Sequence, residues 1–373
     1  MGHYTTISLI YSPRMKKTFK FKNDRVPVPF FFPDATRAVI KSLDTEDIKA
    51  TKTPGILVNT YHLNNDLDKR TLRKFGGIRE FMNWDGAVIS DSGGFQVMSL
   101  AKTNNGKVTD EGVFFNLSKN KKVKLTPEKS IRFQMLLKPD MVVVLDDFTM
   151  PGADLKSAQE TVDRSVLWAK RSKIEFESIC EKENLSKKER PYLLAVVQGG
   201  DHLKLRKECA QRLLEIDFDG FGYGGWPIKE TGEFNYEVAR RISEDIPKDK
   251  FLHGLGIGKP EEIVKLVGMG YDMFDCVLPT RDARHGRLYV YTADSIENIK
   301  VHKNGFYEYY VPNKSKHGGD DSKVSNACDC LLCTKYSRAY LHHLFKVGDM
   351  TAGRLATIHN LRFYSILMEK LQR

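Results

Sequence analysis

Seven short runs rich in β-branched residues, each ending abruptly in polar or glycine-rich positions, constrain the fold of this chain most. In order they are "GILVNTYHL", "GAVISDSGGF", "MVVVLDDFT", "YLLAVVQGG", "FDGFGYGGW", "FLHGLGIGKP" and "DMFDCVLPTR". Longer segments with helical spacing lie between them. Examples are "TPEKSIRFQMLL", with Thr126 placed to cap and Pro127 at the first helical position, "KLRKECAQRLLEI" and "KPEEIVKLVGMG". Strand, polar loop and helix in repetition predict a parallel sheet. With "VPFFFPDA" ahead of them as a first strand, the pattern fits a (β/α)8 barrel better than an open doubly wound sheet. No GxGxxG follows the early strands, which argues against dinucleotide binding. The periodicity breaks from about Tyr289 to Cys333, then a helical segment, "DMTAGRLATIHNLRFYSILMEKL", follows. We expect a barrel core over 1–288, an inserted subdomain over 289–345 and a helical segment over 346–373 that completes both.

A barrel builds its active site just past the C-terminal ends of its strands. The residues there are Asp91, Ser92, Gly93, Gly94, Asp146, Asp147, Gln198, Gly199, Gly224, Gly225, Asp275, Arg281 and Arg284. Any one of them is an ordinary turn residue. All of them on one rim predict a site.

The stretch "CDCLLCTKYSRAYLHHL" spaces Cys328, Cys330 and Cys333 as C-x-C-x-x-C, close enough to converge on one zinc ion that needs a fourth ligand. His342, His343 and His359 are the available histidines. His342 and His343 are adjacent and point about 100° apart on a helix, so at most one of them serves. A site with four protein ligands is closed and therefore structural. Cys180, Cys209 and Cys276 are isolated, which suits a reducing cytoplasm. The net charge of +11 favours a polyanionic partner, nucleic acid first. Basic clusters lie at "SKNKKVK" and at "VHKNGFYEYYVPNKSKHGG", read as solvated surface. No apolar run approaches the roughly 20 residues that span a bilayer, so no membrane partner is expected. The N-terminus shows no signal-like core, and the match of Gly2 and Thr6 to a myristoylation pattern is read as chance.

At "SDSGGFQVMSL" the chain resembles the queuine tRNA-ribosyltransferases, or tRNA-guanine transglycosylases, of bacterial type. "LVNTYHL", "LTPEKSIRFQ", "VVQGG", "FDGFGYGG", "GIGKPEE", "DMFDCVLPTR" and the cysteine cluster follow in that family's order over nearly the whole chain. The resemblance implies an irregular (β/α)8 TIM barrel with a zinc-binding subdomain inserted near the C-terminus. Its metal ligands fall on Cys328, Cys330, Cys333 and His359, holding one structural Zn2+. His342 and His343 fall on a helix similar to the family's dimer contact, implying a homodimer.

The implied reaction exchanges the wobble guanine of tRNA with a GUN anticodon for a free 7-deazaguanine base, aminomethyl-deazaguanine or queuine, in queuosine biosynthesis. Asp275 matches the nucleophile that traps the ribose covalently, and Asp91 the base that takes a proton from the incoming deazaguanine. In the implied pocket, Asp146 accepts from the guanine-like edge, Gln198 and the Gly225 N–H donate to O6, and Phe95 stacks on the base. Ser92, Gly93, Gly94 and Trp226 complete it, and the glycine pair at 224 and 225 lets backbone approach. The RNA-contacting stretches match Gly256, Ile257, Gly258, Lys259, Pro260, Glu261 and Glu262, and Thr280, Arg281, Asp282, Ala283 and Arg284. The two arginines are suited to forked contacts.

Two departures from the bacterial pattern fall in the implied pocket. Trp226-Pro227-Ile228-Lys229-Glu230 stands where Leu-Ala-Val-Gly-Glu is usual, and Phe148 replaces a cysteine. Proline has no N–H, so only the Trp226 carbonyl faces the C7 substituent, and a cationic aminomethyl group is expected to be preferred over a nitrile. Phe148 and Trp226 add bulk that either narrows the pocket or walls it. The alternatives are a DNA-modifying deazaguanine paralogue, a non-catalytic RNA-binding subunit, and a barrel glycoside hydrolase using Asp91 and Asp275. The last leaves the cysteine cluster and basic charge unexplained.

Overall fold

The computed structural model describes residues 17–103, 106–118 and 121–373, without the side chains of Phe95, Lys102, Leu117, Ser118 and Lys121. The Gly2 and Thr6 match, the N-terminal signal reading and part of the "SKNKKVK" cluster lie outside the described residues.

Eight strands form one parallel sheet: β1 (Phe30–Pro33), β2 (Gly55–Asn59), β3 (Ala87–Asp91), β4 (Met141–Val143), β5 (Tyr192–Val197), β6 (Gly220–Tyr223), β7 (Phe251–Gly254) and β8 (Met273–Cys276). Neighbours follow chain order from β2 to β8, and β8 returns to pair with β1, with Asp275 opposite Phe32. The ring closes between β1 and β2 just past β1, where Asp34 bridges Leu57 and the Ala35 N–H donates to the Leu57 carbonyl at 2.7 Å. Strands covered on both faces read as unbroken apolar runs, and each of the eight expected from sequence is present.

The barrel interior is filled from below. Phe30, Phe32, Leu57, Ile89, Met141, Val143, Leu194, Val196 and Met273 form one buried cluster. An antiparallel hairpin, Thr18–Phe21 with Asp24–Pro27, plugs its N-terminal end. There Phe19 sets its ring against Phe30, Tyr192 and Phe251, at 5.3, 5.2 and 5.9 Å. Burying such aromatic area drives the plug home and leaves the opposite rim open for chemistry.

Helix starts follow the expected signals. Thr126 accepts from the Lys129 N–H ahead of the helix Pro127–Leu137, and Pro260 opens Pro260–Met269. The last helix, Met350–Leu371, is buried around nearly its whole circumference, the mark of a helix enclosed by its neighbours. Tyr364 packs on Phe31 of β1 at 4.6 Å, and Gln372 donates to the carbonyls of Pro27 and Pro29. Besides the hairpin plug, two features were not expected. A three-stranded antiparallel sheet, Lys107–Thr109, Gly112–Ser118 and Lys121–Leu125, precedes the helix Pro127–Leu137, and a 28-residue helix, Leu155–Lys182, follows β4. Trp168 of that helix joins Val113 and Phe115 in a satellite core.

The aromatic-basic stretch after Val301 is structured. Tyr307–Tyr310 pairs antiparallel with Leu288–Tyr291, and the rings of Tyr307 and Tyr309 pack against Tyr289. Among the described residues no helix is long and apolar enough to cross a membrane.

Candidate active site and metal centre

Three carboxylates meet at the C-terminal rim. Asp91 ends β3, Asp275 lies in β8, and Asp146 follows β4. Asp91 accepts from Asn59 Nδ2 at 2.8 Å and from the Gly93 N–H at 3.3 Å. Gly93 has φ +78°, and a Cβ there would sit 2.7 Å from the Cβ of Tyr61, so the turn that aims Asp91 requires glycine. The Ser92 hydroxyl accepts from the Gly94 N–H at the start of the helix Gly94–Thr103. That helix contains Phe95, whose side chain lies outside the described residues. Burial and the neighbouring carboxylates of Asp275 and Asp146 push Asp91 up to about 7, which poises it to exchange a proton near neutrality.

Asp275 Oδ1 accepts from the Gly256 N–H at 3.2 Å and lies 2.8 Å from Nε2 of the fully buried His253 on β7. The ring N–H is not aimed along that line, so the contact is a close approach and no well-formed hydrogen bond. Both contacts fall on Oδ1, which leaves Oδ2 to act.

The polar pocket is held by its own wiring. Gln198 Nε2 donates to Asp146 Oδ2 at 2.5 Å, while its Oε1 accepts from the Thr149 N–H at 3.2 Å. The amide orientation is thereby fixed, and one Nε2 hydrogen remains for a ligand. Burial raises Asp146 to about 6 despite that bond, with Asp147 adding to the rise. Asp147 itself is paired with Arg164 and so serves structure. A Cβ on Gly224 would meet Gln198 Nε2 at 2.7 Å, so glycine is required for the close approach of β6 to Gln198. Gly225 follows on the rim. Trp226 is 52% exposed beside the loop Thr149–Gly152, with Ile228 and Lys229 in the same small cleft. Phe148 packs towards the satellite core of Tyr61, Val97, Leu145 and Trp168.

On the adjoining rim, Ile257, Gly258, Pro260, Glu262, Thr280, Asp282 and Ala283 are buried and build the surface from within. Asp282 takes a forked bond from Arg287 and the hydroxyl of Tyr289, and Glu261 accepts from Tyr307. Lys259 pairs with Glu262 at 3.3 Å. Arg281 is exposed and Arg284 half-buried, and neither forms an ion pair among the described residues, so both charges remain for an anionic ligand.

Cys328, Cys330, Cys333 and His359 are all buried, with ligand atoms within 4.8 Å of one another. His359 points Nδ1 at Cys333 Sγ, 3.2 Å away, while Nε2 meets the Tyr289 carbonyl at 2.8 Å. That outer contact assigns the proton to Nε2 and leaves Nδ1 to bind, the usual arrangement behind a metal-ligating imidazole. Three thiols and one imidazole nitrogen fit a four-coordinate zinc. His342 is turned away to the Pro312 carbonyl at 2.7 Å.

Four residues that sequence reasoning passed over belong to this rim. Asn59 holds Asp91 by a hydrogen bond, and His253 lies against Asp275. Asp34, past the end of β1, is close enough to Asp275 and Asp91 for their charges to act on it. Arg206, 1% exposed, donates to the carbonyls of Val197, Gly200 and Gly224 and so straps the two loops that carry Gln198 and Gly225. The only signal for Asn59 was its place at the end of a strand run.

A closed parallel barrel with clustered carboxylates, an amide-lined pocket and arginines without ion-pair partners on one rim, and a buried Cys3His group that could hold a metal ion, defines a barrel enzyme. Residues 14–373 match the profile of the queuine tRNA-ribosyltransferase family. The chain is 38% identical over 353 residues to the queuine tRNA-ribosyltransferase of Shewanella sp. (strain ANA-3), covering 94% of this chain and 88% of that protein. It is 37% identical over 353 residues, with the same coverage, to that of Shewanella baltica (strain OS155). The chain belongs to the queuine tRNA-ribosyltransferase family, whose members are pentosyltransferases of the tRNA-guanine transglycosylase type.

Proposed function

We propose that this enzyme exchanges the wobble guanine of GUN-anticodon tRNA for a 7-deazaguanine base through a covalent ribosyl-aspartate, in the cytoplasm. The observation that carries this reading is the separation of roles on the rim: Asp275 with one oxygen tied and one free, Asp91 poised near neutrality across from it. Asp275 Oδ2 attacks C1′ as the C1′–N9 bond breaks, and protonated Asp91 gives the departing guanine its proton. The incoming base then returns a proton to Asp91 as it displaces Asp275, so two inversions give retention. Asp146, Gln198 and the Gly225 N–H hold either base by its guanine-shaped edge. The anticodon loop is single-stranded, so turning the wobble base out of it costs little. Arg281 and Arg284 take the flanking RNA. Cys328, Cys330, Cys333 and His359 hold one zinc ion whose role is structural. Tyr336 and Tyr340, stacked at 5.3 Å and partly exposed, support a second copy docking on this face.

The test is release of labelled wobble guanine from unmodified GUN tRNA, with guanine, aminomethyl-deazaguanine, its nitrile precursor and queuine supplied in parallel. Release establishes the exchange, and none with any base overturns it. Because Pro227 leaves only the Trp226 carbonyl towards C7, the aminomethyl base should be used at least about 10-fold more efficiently than the nitrile. Equal use of the two removes that argument.

The pH dependence follows from the same groups. Below about 6 Asp146 is protonated and loses an acceptor for the base, and below about 7 Asp91 is too often protonated to take a proton from it. Incorporation of the free base should therefore climb between these values, as measured by kcat/KM for the base against pH. A flat profile across roughly pH 5.5–7.5 removes Asp91 as the base.

A further inference from the structure

Asp34 lies one residue past β1, beside β8 on one side of the closing barrel and β2 on the other. Its Oδ1 is shut off from solvent and meets no hydrogen-bond donor. A buried carboxyl oxygen without a partner is costly, and a fold keeps one where something else supplies the bond. Nothing in the proton-transfer scheme above uses it. We propose that Asp34 contacts the substrate directly, bonding the 2′-hydroxyl of the wobble ribose and so selecting ribonucleotide over deoxyribonucleotide.

The placement rests on the transglycosylase reading of the site. C1′ must sit between Asp275, which attacks it, and Asp91, which handles the proton of the base. Asp34 is near enough to both for their charges to act on it. C2′ is one bond from C1′, so its hydroxyl falls within the same small space. Burial, with Asp275 and Asp91 adding to it, holds Asp34 well above the usual carboxylate range. A protonated carboxyl offers one donor and one acceptor, matching a hydroxyl that is also both. As positive charge develops at C1′ the 2′-hydroxyl becomes a better donor, so the bond strengthens towards the transition state. The 2′-hydroxyl is also the group by which a protein tells RNA from DNA at one position. Asp34 thus gives a residue-level reason for the tRNA reading over that of a DNA-modifying relative.

The experiment pairs two substrates with three proteins. Anticodon stem-loops carrying guanosine or 2′-deoxyguanosine at the wobble position are exchanged by wild type, Asp34→Asn and Asp34→Ala. The proposal expects wild type to lose about 10²-fold or more on the deoxy substrate relative to the variants' response to it. Asp34→Ala should be slowed by a similar factor on the ribo substrate and show only the intrinsic difference between the two glycosidic bonds on removal of the hydroxyl, with Asp34→Asn between. Any intrinsic difference in lability between the two glycosidic bonds cancels in the comparison. If Asp34→Ala loses the same factor on both substrates, the side chain supports the fold or tunes Asp275, and the contact is refuted. A wild type that releases guanine from neither overturns the transglycosylase reading itself, and the ribose contact falls with it.

Discussion

Asp275→Asn should abolish guanine exchange, by about 10⁴-fold or more, while the protein still folds and binds tRNA. The amide matches the carboxylate in size, and its oxygen can still accept the Gly256 N–H, so β8 is not expected to move. It is a poor nucleophile, and no covalent ribosyl intermediate can accumulate on it. Asp91→Asn should be milder, because a carboxylate acting as acid or base contributes roughly 10²–10⁴-fold. The readouts are single-turnover release of labelled guanine, a covalent protein–RNA band on a denaturing gel, and tRNA affinity. Exchange within tenfold of wild type, or a covalent band from the variant, would move the nucleophile elsewhere. Asp34 would be the next carboxylate to examine.

The second large effect concerns the metal. Removing zinc with a chelator, or replacing Cys333 with Ser, should destabilise the protein by several kcal/mol, some fraction of the ~10–16 kcal/mol that structural zinc gives small domains. At ~2–4 °C per kcal/mol the melting midpoint should fall by roughly 10 °C or more. The loss should reach the active site, because the helix that bears His359 also anchors the rim. Asn360 donates to the carbonyls of Pro279 and Arg287, and Tyr364 donates to the Gly258 carbonyl in the loop beside Asp275. Metal content by elemental analysis, melting with and without chelator, and recovery of exchange on adding zinc back would check this. Unchanged melting in a verified metal-free protein would show that packing alone holds the four side chains.

The barrel was legible because strands covered on both faces leave continuous apolar runs, and each run ended where a loop must turn. The hairpin plug and the three-stranded sheet were not. "KVT" and "KKVKL" alternate apolar with charged residues over too few positions to stand out from a solvated loop. At the site, Asp91, Asp146, Gln198 and Asp275 stood at the ends of strand runs, Asp91 and Gln198 beside glycines, where chemistry is expected. Asp34 fell within the expected first strand "VPFFFPDA" and carried no signal of its own. His253 sat within a strand run and carried no signal of its own. Arg206 lay in a helical run with two lysines and carried no signal of its own, although it is among the largest fully buried side chains. Asp34 and His253 owe their places to groups on other strands, and Arg206 to the backbone carbonyls of two loops, which local pattern does not encode.

The seam between the first strand and the last helix bears on how the protein is made. Gln372 reaches the Pro29 carbonyl across 343 positions, and Tyr364 covers Phe31 in the same region. At ~5–20 residues per second, a ribosome needs roughly 20–70 s between making the two. Throughout that interval the apolar outer face of β1 has no permanent cover, and the three thiols lack their histidine. The outer face of β1 should therefore stay uncovered until the last helix emerges, and the protein's yield in a cell should respond to slow codons ahead of that helix more than to those near the start of the message.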